Sequence, residues 1–435
     1  MGFNLGVAIR VHDHNESGVS ALGGYITDPR QQLPTKAVAI ELIEETFNNY
    51  NRFLPLFDEE DFLKEFQLKY STSNPRDAGW WACLNVVLSI AHRLRSIRAK
   101  DPTQDHILAF GYVQNALSVV SELNVSDRSL SAVQALAGMA CILQGTPDPE
   151  PAAMLVAAAL RLAQAMNLHR ECSSPGLTES QAEKRRRVFW KVYILDKDIS
   201  LRTGRPFGQD DDDMDVHLPS NMNLESGNVD LFNCRIGLAL VQGQVYKQLY
   251  SVQAGRQTAI QRAIAAQELS SLLSYWKSSA QLELPEDSTT FSVTQLSGEM
   301  IHKVVLRLTY IHCLTMIDHH LLLTAQSSSN QQLNRSKSSS PSSLCVAESR
   351  KAIRLVKSIP QGDCACVWML LHAFFAAASS MLYNLTQNPM SPNAISDLDL
   401  VEPFLRLLET LARDPRTLSQ SEELFKATGI LYMII

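Results

Sequence analysis

Residues 183–208 read Glu-Lys-Arg-Arg-Arg-Val-Phe-Trp-Lys-Val-Tyr-Ile-Leu-Asp-Lys-Asp-Ile-Ser-Leu-Arg-Thr-Gly-Arg-Pro-Phe-Gly, and an acidic run then leads into Met214-Asp-Val-His-Leu-Pro219. Val188, Val192, Leu195 and Ile199 recur at steps of four, three and four, so on a helix they form one stripe, which Phe189 and Tyr193 widen to a face. Such a face demands burial. Gly204 follows the last periodic residue and suits a left-handed cap, while Pro206 bars Arg205 from helical geometry, so the helix should end at or near Thr203.

These residues also carry a likeness. Arg-Arg-Arg-Val-Phe-Trp, Tyr-Ile-Leu-Asp, Gly-Arg-Pro, Asp213-Met-Asp-Val216 and Leu218-Pro219 resemble the signature of the fungal-specific transcription factor domain, the middle regulatory region of fungal zinc-cluster regulators. A second block, Ala157 to Arg170, ends in Leu-Ala-Gln-Ala-Met-Asn-Leu-His-Arg, similar to that family's "LAQxLGLHR" element. Asn167 stands where the family usually has glycine; asparagine is the next most tolerant residue of left-handed geometry. Weaker similarity covers Leu33-Pro34 and Tyr50 to Phe66.

The resemblance implies a structural or regulatory signature made of Arg187, Phe189, Trp190, Tyr193, Asp196, Gly204, Arg205, Pro206, Asp213, Asp215, Leu218 and Pro219. It implies a nuclear transcription regulator, often of a metabolic gene cluster, that works with the transcription machinery or co-regulator proteins, a small-molecule effector, or a second copy of itself. No membrane association is expected. It implies zinc only in a separate N-terminal module, whose six closely spaced cysteines no window here supplies. DNA contact would therefore come from a missing module or a partner.

Composition agrees with a globular chain. The 435 residues are 45% hydrophobic and carry a net charge of −6, so no global positive field attracts phosphate backbones. Eight scattered cysteines read as reduced thiols, and Met1 to Ile26 lacks the apolar core of a signal peptide, which makes the glycosylation sequons at Asn124 and Asn384 coincidental.

No run alternates like a strand, so the expected class is all-α: a multi-helical array of antiparallel helix hairpins around one extended core. The expected organisation is a flexible lead-in over 1–32, a regulatory domain over 33–325, a Ser-rich disordered insertion over 326–343, and a C-terminal helical part over 344–435. Expected helices run from Pro34 to Phe47, after the cap Asp58, from Ala78 to Arg95, and over roughly 104–123, 131–144, 152–168, 231–250, 257–276, 293–325, 345–358, 364–386, 396–412 and 419–433. Trp368, Leu370, Leu371, Phe374 and Phe375 mark the 364–386 helix as central.

Catalytic readings find little support. Asp211, Asp212 and Asp215 match the DDxxD of terpenoid synthases, but the run sits in loop chemistry, and Asn115, Ser118 and Glu122 make a poor second motif, so a solvated acidic loop is expected and no metal. His312, Cys313, Met316, His319 and His320 on one helix read as core or surface residues rather than metal ligands. Lys184 to Arg187 reads as the solvated edge of a buried face, with a nuclear import signal as the sharper alternative. Asp196, on the side of the helix shared by Phe189 and Tyr193, needs a cation or several backbone donors, and Arg205 or Arg202 is the expected partner. The rivals are an enzyme reusing the all-α scaffold and an interaction module without DNA binding.

Overall fold

The computed structural model describes residues 31–70, 77–99, 101–125, 127–146, 148–171, 176–220, 230–280, 298–329, 341–358 and 364–412, all of them helix or connecting loop, with no strand among them. All but the last two residues of the 1–32 lead-in, the break at Pro285, the centre of the Ser-rich insertion and the 419–433 helix lie outside the described residues.

The helices are α1 (Lys36–Thr46), α2 (Glu59–Lys69), α3 (Ala78–Arg98), α4 (Thr103–Leu117), α5 (Val120–Val125), α6 (Leu130–Leu143), α7 (Glu150–Ala165), α8 (Glu179–Thr203), α9 (Leu231–Val245), α10 (Val252–Gly255), α11 (Ala259–Ala280), α12 (Gly298–Ser329), α13 (Ser343–Arg354), α14 (Cys364–Gln387) and α15 (Ala394–Ala412). Side-chain oxygens close several N-termini: Asp58 accepts from Asp61, Asp77 from Trp80, and Ser129 from Ala132. Two helices end in a π turn, α1 at Phe47–Asn51 and α9 at Tyr246–Tyr250. Sequence neighbours pack on one another, α3 on α4, α6 on α7, α11 on α12 and α13 on α14.

Three expectations shift. The 104–123 segment breaks at Ser118 and Val119 into α4 and α5. Helix α12 runs on to Ser329, and Ser342 caps α13 by accepting from Cys345, so the expected insertion is ordered at both edges. The single extended core is instead two. One gathers α1 to α8 and one side of α9; the other gathers α9's opposite side and α11 to α15. Phe232, Ile236 and Ala239 face the first, and Leu231, Leu238, Val241 and Val245 the second. A helix apolar on two sides gives no stripe to read, which is why periodicity did not separate the cores. Helix α12 includes a segment, Gly298–Leu322, long and apolar enough to cross a bilayer, yet Leu306, Leu308, Ile311 and Ile317 within it are buried in the second core. Leu370 and Phe374 bury α14 there as expected, whereas the Trp368 side chain is outside the described residues.

Helix α8 passes between the two. A capping box of Thr178 and Gln181 opens it, Gly204 at φ 69° closes it, and every residue from Val188 to Arg202 is buried. Trp190 packs edge-on against Phe189 and Tyr193, and its indole N–H donates to the His217 carbonyl at 2.8 Å. Trp190→Ala should therefore cost about 3 to 5 kcal/mol in urea unfolding, and Trp190→Phe, which keeps most of the packing, clearly less.

Candidate functional site

A helix buried all round is expected to be apolar all round. Helix α8 instead carries Lys191, Asp196, Lys197, Asp198 and Arg202 inside the protein, and the loop that follows supplies partners for two of them. Past Gly204 the chain turns back along α8. Both Asp196 oxygens accept from the Gly208 N–H, at 2.9 and 3.0 Å, and one also accepts from the Gln209 N–H at 3.2 Å. A β-carbon at Gly208 would lie 2.6 Å from the Leu160 methyl of α7, so only glycine brings the loop this close.

Lys197 completes the clamp. Its ammonium donates to the Gln209 carbonyl at 2.6 Å, pairs with Asp211 at 3.1 Å and lies 3.3 Å from the centre of the Phe207 ring. Asp211 also accepts from the Tyr193 hydroxyl at 2.6 Å and from Gln244 of α9 at 3.2 Å. Burial pushes the Asp196 carboxyl up and the Lys197 ammonium down, and burial plus the Asp211 bond pushes the Tyr193 phenol far up. The site thus joins α8, the Gly-Arg-Pro loop and α9 into one unit.

Two expectations are corrected here. Neither Arg205 nor Arg202 pairs with Asp196. Arg205 reaches Glu150 of α7, and Arg202 donates to the Met369 carbonyl of α14 at 3.4 Å while Asp198 acts on it electrostatically. Backbone donors take the place of a cation because the αL turn at Gly204 directs the Arg205 side chain away while returning the Gly208 and Gln209 amides to α8. The acidic loop is only partly solvated. Asp212 and Asp213 are exposed, but Asp211 is held by Lys197 and Tyr193, Asp210 pairs with Lys247, and Asp215 pairs with Arg170 and accepts from the Glu171 N–H. Among the described residues no three His, Cys, Asp or Glu side chains gather as a metal set.

Of the remaining signature residues, Phe189, Trp190 and Tyr193 form the aromatic core of α8, while Arg187 pairs with Glu183, which also holds Ser220. Leu218 and Pro206 are exposed, and the buried Pro219 accepts at its carbonyl from Asn233 of α9. Asn167 takes the left-handed conformation, φ 56°. The basic run is spent inside the protein: Lys184 on Asp58 and Asp61, Arg185 on the Met166 carbonyl, Arg186 on Glu171, Glu179 and Glu183. Arg186 holds the Glu171 carboxyl down at about 2.

Sequence reasoning missed a second polar group where the cores meet. His312 of α12 and His372 of α14 stand 4.5 Å apart between ring centres, with Arg202 and Asp198 of α8 acting on His312. Neither Nδ1 finds a hydrogen-bond partner among the described residues. Burial lowers His312 to about 4 and His372 well below its ordinary value.

A family model described as the fungal specific transcription factor domain matches residues 43–357, a span that contains all of α8 and the whole clamp. The chain belongs to this family. It is 40% identical over 404 residues to the ABC-transporter-regulating transcription factors of Aspergillus fumigatus and Aspergillus oryzae, covering 88% of this chain and 45% of each relative. It is 30% identical over 390 residues to the Fusaridione A cluster transcription factor of Fusarium heterosporum, covering 87% of this chain and 73% of that relative. The chain spans somewhat under half the length of the two Aspergillus proteins.

Two outcomes follow from this geometry. In a double-mutant cycle by chemical unfolding, Asp196→Ala and Arg205→Ala should add within about half a kcal/mol, whereas Tyr193→Phe and Asp211→Asn, which share a bond, should not. Acid should expose the histidines: the unfolded chain takes up a proton near the ordinary value of 6.5, but folded His312 resists until about 4. Its contribution is then intact above pH 6.5 and lost as pH falls towards 4, on the order of a few kcal/mol. His312→Gln should flatten the stability-versus-pH curve in that window; an unchanged slope would show that His312 titrates normally.

Proposed function

We propose that this chain is the regulatory part of a nuclear transcription factor and that it controls a metabolic gene cluster without catalysing a reaction. The family match over residues 43–357 carries the reading. The names of the relatives support it, and the 40% identity to the two Aspergillus factors favours ABC-transporter genes as a second class of target. Sequence-specific DNA contact belongs to a zinc-cluster module or a partner protein, since the net charge is −6 and the basic run of α8 is occupied by carboxylates. Co-regulator proteins, a second copy of the chain and a small-molecule effector are its partners, and the meeting of two cores on α8 gives an effector a place to act on both halves. No membrane association is part of this reading.

The test is a fusion of the chain to an unrelated DNA-binding domain in a fungal reporter strain. The fusion should raise or lower the reporter relative to the DNA-binding domain alone, and Asp196→Ala should weaken that effect. A fusion that is folded, present in the nucleus and without effect on the reporter would overturn the reading. The purified chain alone should show no sequence-selective gel shift at physiological salt.

A further inference from the structure

Lys191 leaves α8 in the middle of its buried stretch and is 2% exposed, so its charge requires a counter-ion or a full set of acceptors. Its ammonium donates to the Tyr50 hydroxyl at 2.8 Å, lies 4.9 Å from the centre of the Tyr50 ring and interacts electrostatically with the Cys141 thiol. None of these is a carboxylate. Asp198, the acid that does act on Lys191, stands two turns further along α8, about 10 Å by helical rise. It accepts instead from Gln242 at 3.0 Å.

A second cation acts on the same groups. Arg235, in the second turn of α9, acts electrostatically on Lys191, Tyr50 and His302, and forms no hydrogen bond or ion pair with any described residue. His302, at the start of α12 and 5% exposed, closes the group with its ring 5.6 Å from that of Tyr50. Burial and the two cations keep the His302 imidazole neutral, down at about 3. A lysine point charge and an arginine fork that act on one another beside aromatic rings, with no carboxylate bonded to either, suit an oxyanion.

We propose that Lys191, Arg235 and the Tyr50 hydroxyl bind the carboxylate or phosphate group of a small molecule at the seam between the two cores. Tyr50 comes from the π turn after α1, Lys191 from α8 and Arg235 from α9, so an occupant draws together elements of both halves. Its preference for one arrangement of the seam over another is what lets it act as an effector. The regulatory meaning rests on the effector-controlled reading above; the binding does not.

The test uses the purified full chain with inorganic phosphate and with citrate, each compared with chloride at equal ionic strength. Melting temperature and titration calorimetry are the readouts. At least one probe should raise the melting temperature of the wild-type chain, and Lys191→Met and Arg235→Met should each weaken its binding by about tenfold or more. A response to citrate alone assigns a carboxylate ligand, and a response to phosphate alone a phosphate. Without added anion, Lys191→Met should melt at or above the wild type, because it replaces an uncompensated buried cation with an apolar chain of similar length. No shift by either probe, equal shifts in wild type and both variants, or a Lys191→Met chain that melts lower and binds normally would each overturn the proposal. A silent reporter fusion beside normal anion binding would refute the transcriptional reading and leave the site standing.

Discussion

Charge buried on the central helix is the constraint from which the rest of this structure follows. Helix α8 is enclosed from Val188 to Arg202, yet carries three cations and two carboxylates in that span. Water cannot solvate them, so the chain must. The Gly204–Asp213 loop lies where it does because the Asp196 carboxylate and the Lys197 ammonium need its amides, its Gln209 carbonyl and its Asp211. Helix α9 lies where it does because Gln242 and Gln244 reach Asp198 and Asp211. Take the loop away and two charges remain in an apolar interior, each a larger loss than any single bond in the clamp.

Such an arrangement is poor evidence for stability, since a buried pair repays little more than its own desolvation. What it does supply is register. An apolar seam between two cores would tolerate sliding of α8 by a turn, whereas Asp196 meets the Gly208 amide in one position only. The two cores are thereby held at a fixed setting through a junction made of directional bonds, and directional bonds have discrete alternatives in a way that apolar packing does not.

Much of this was legible in the sequence, for identifiable reasons. The end of α8 at Thr203 and Gly204 was placed closely because a glycine followed by Pro206 is a local signal, whereas the Thr178 and Gln181 capping box that opens α8 and the Ser251 cap of α10 went unread. The buried face of α8 was legible from its spacing, and the left-handed turn at Asn167 from its residue type. The division into two cores was not, because α9 is apolar on opposite sides. Nor was the true partner of Asp196: sequence offers arginines as partners by their charge, while backbone amides, which every residue possesses, leave no mark. Lys191, Lys197 and His372 went unread as core residues, and His312 was left between core and surface, because lysine and histidine in a helix are ordinarily read as its wet side.

The π turn at Phe47–Asn51 has a consequence of its own. A π turn is a helical turn widened by one residue, so the chain around Tyr50 contains a single-residue insertion that the helix has absorbed without breaking. Deleting one residue there would restore an ordinary helix, yet rotate everything beyond it by about 100°. Tyr50 would leave Lys191, and Asn51 would no longer accept from the amides of Leu56 and Phe57. Reading-frame-preserving loss of one codon would thus be nearly silent in helix content and ruinous at the centre of the molecule, which makes the length of this turn, more than the identity of any residue in it, the inherited quantity.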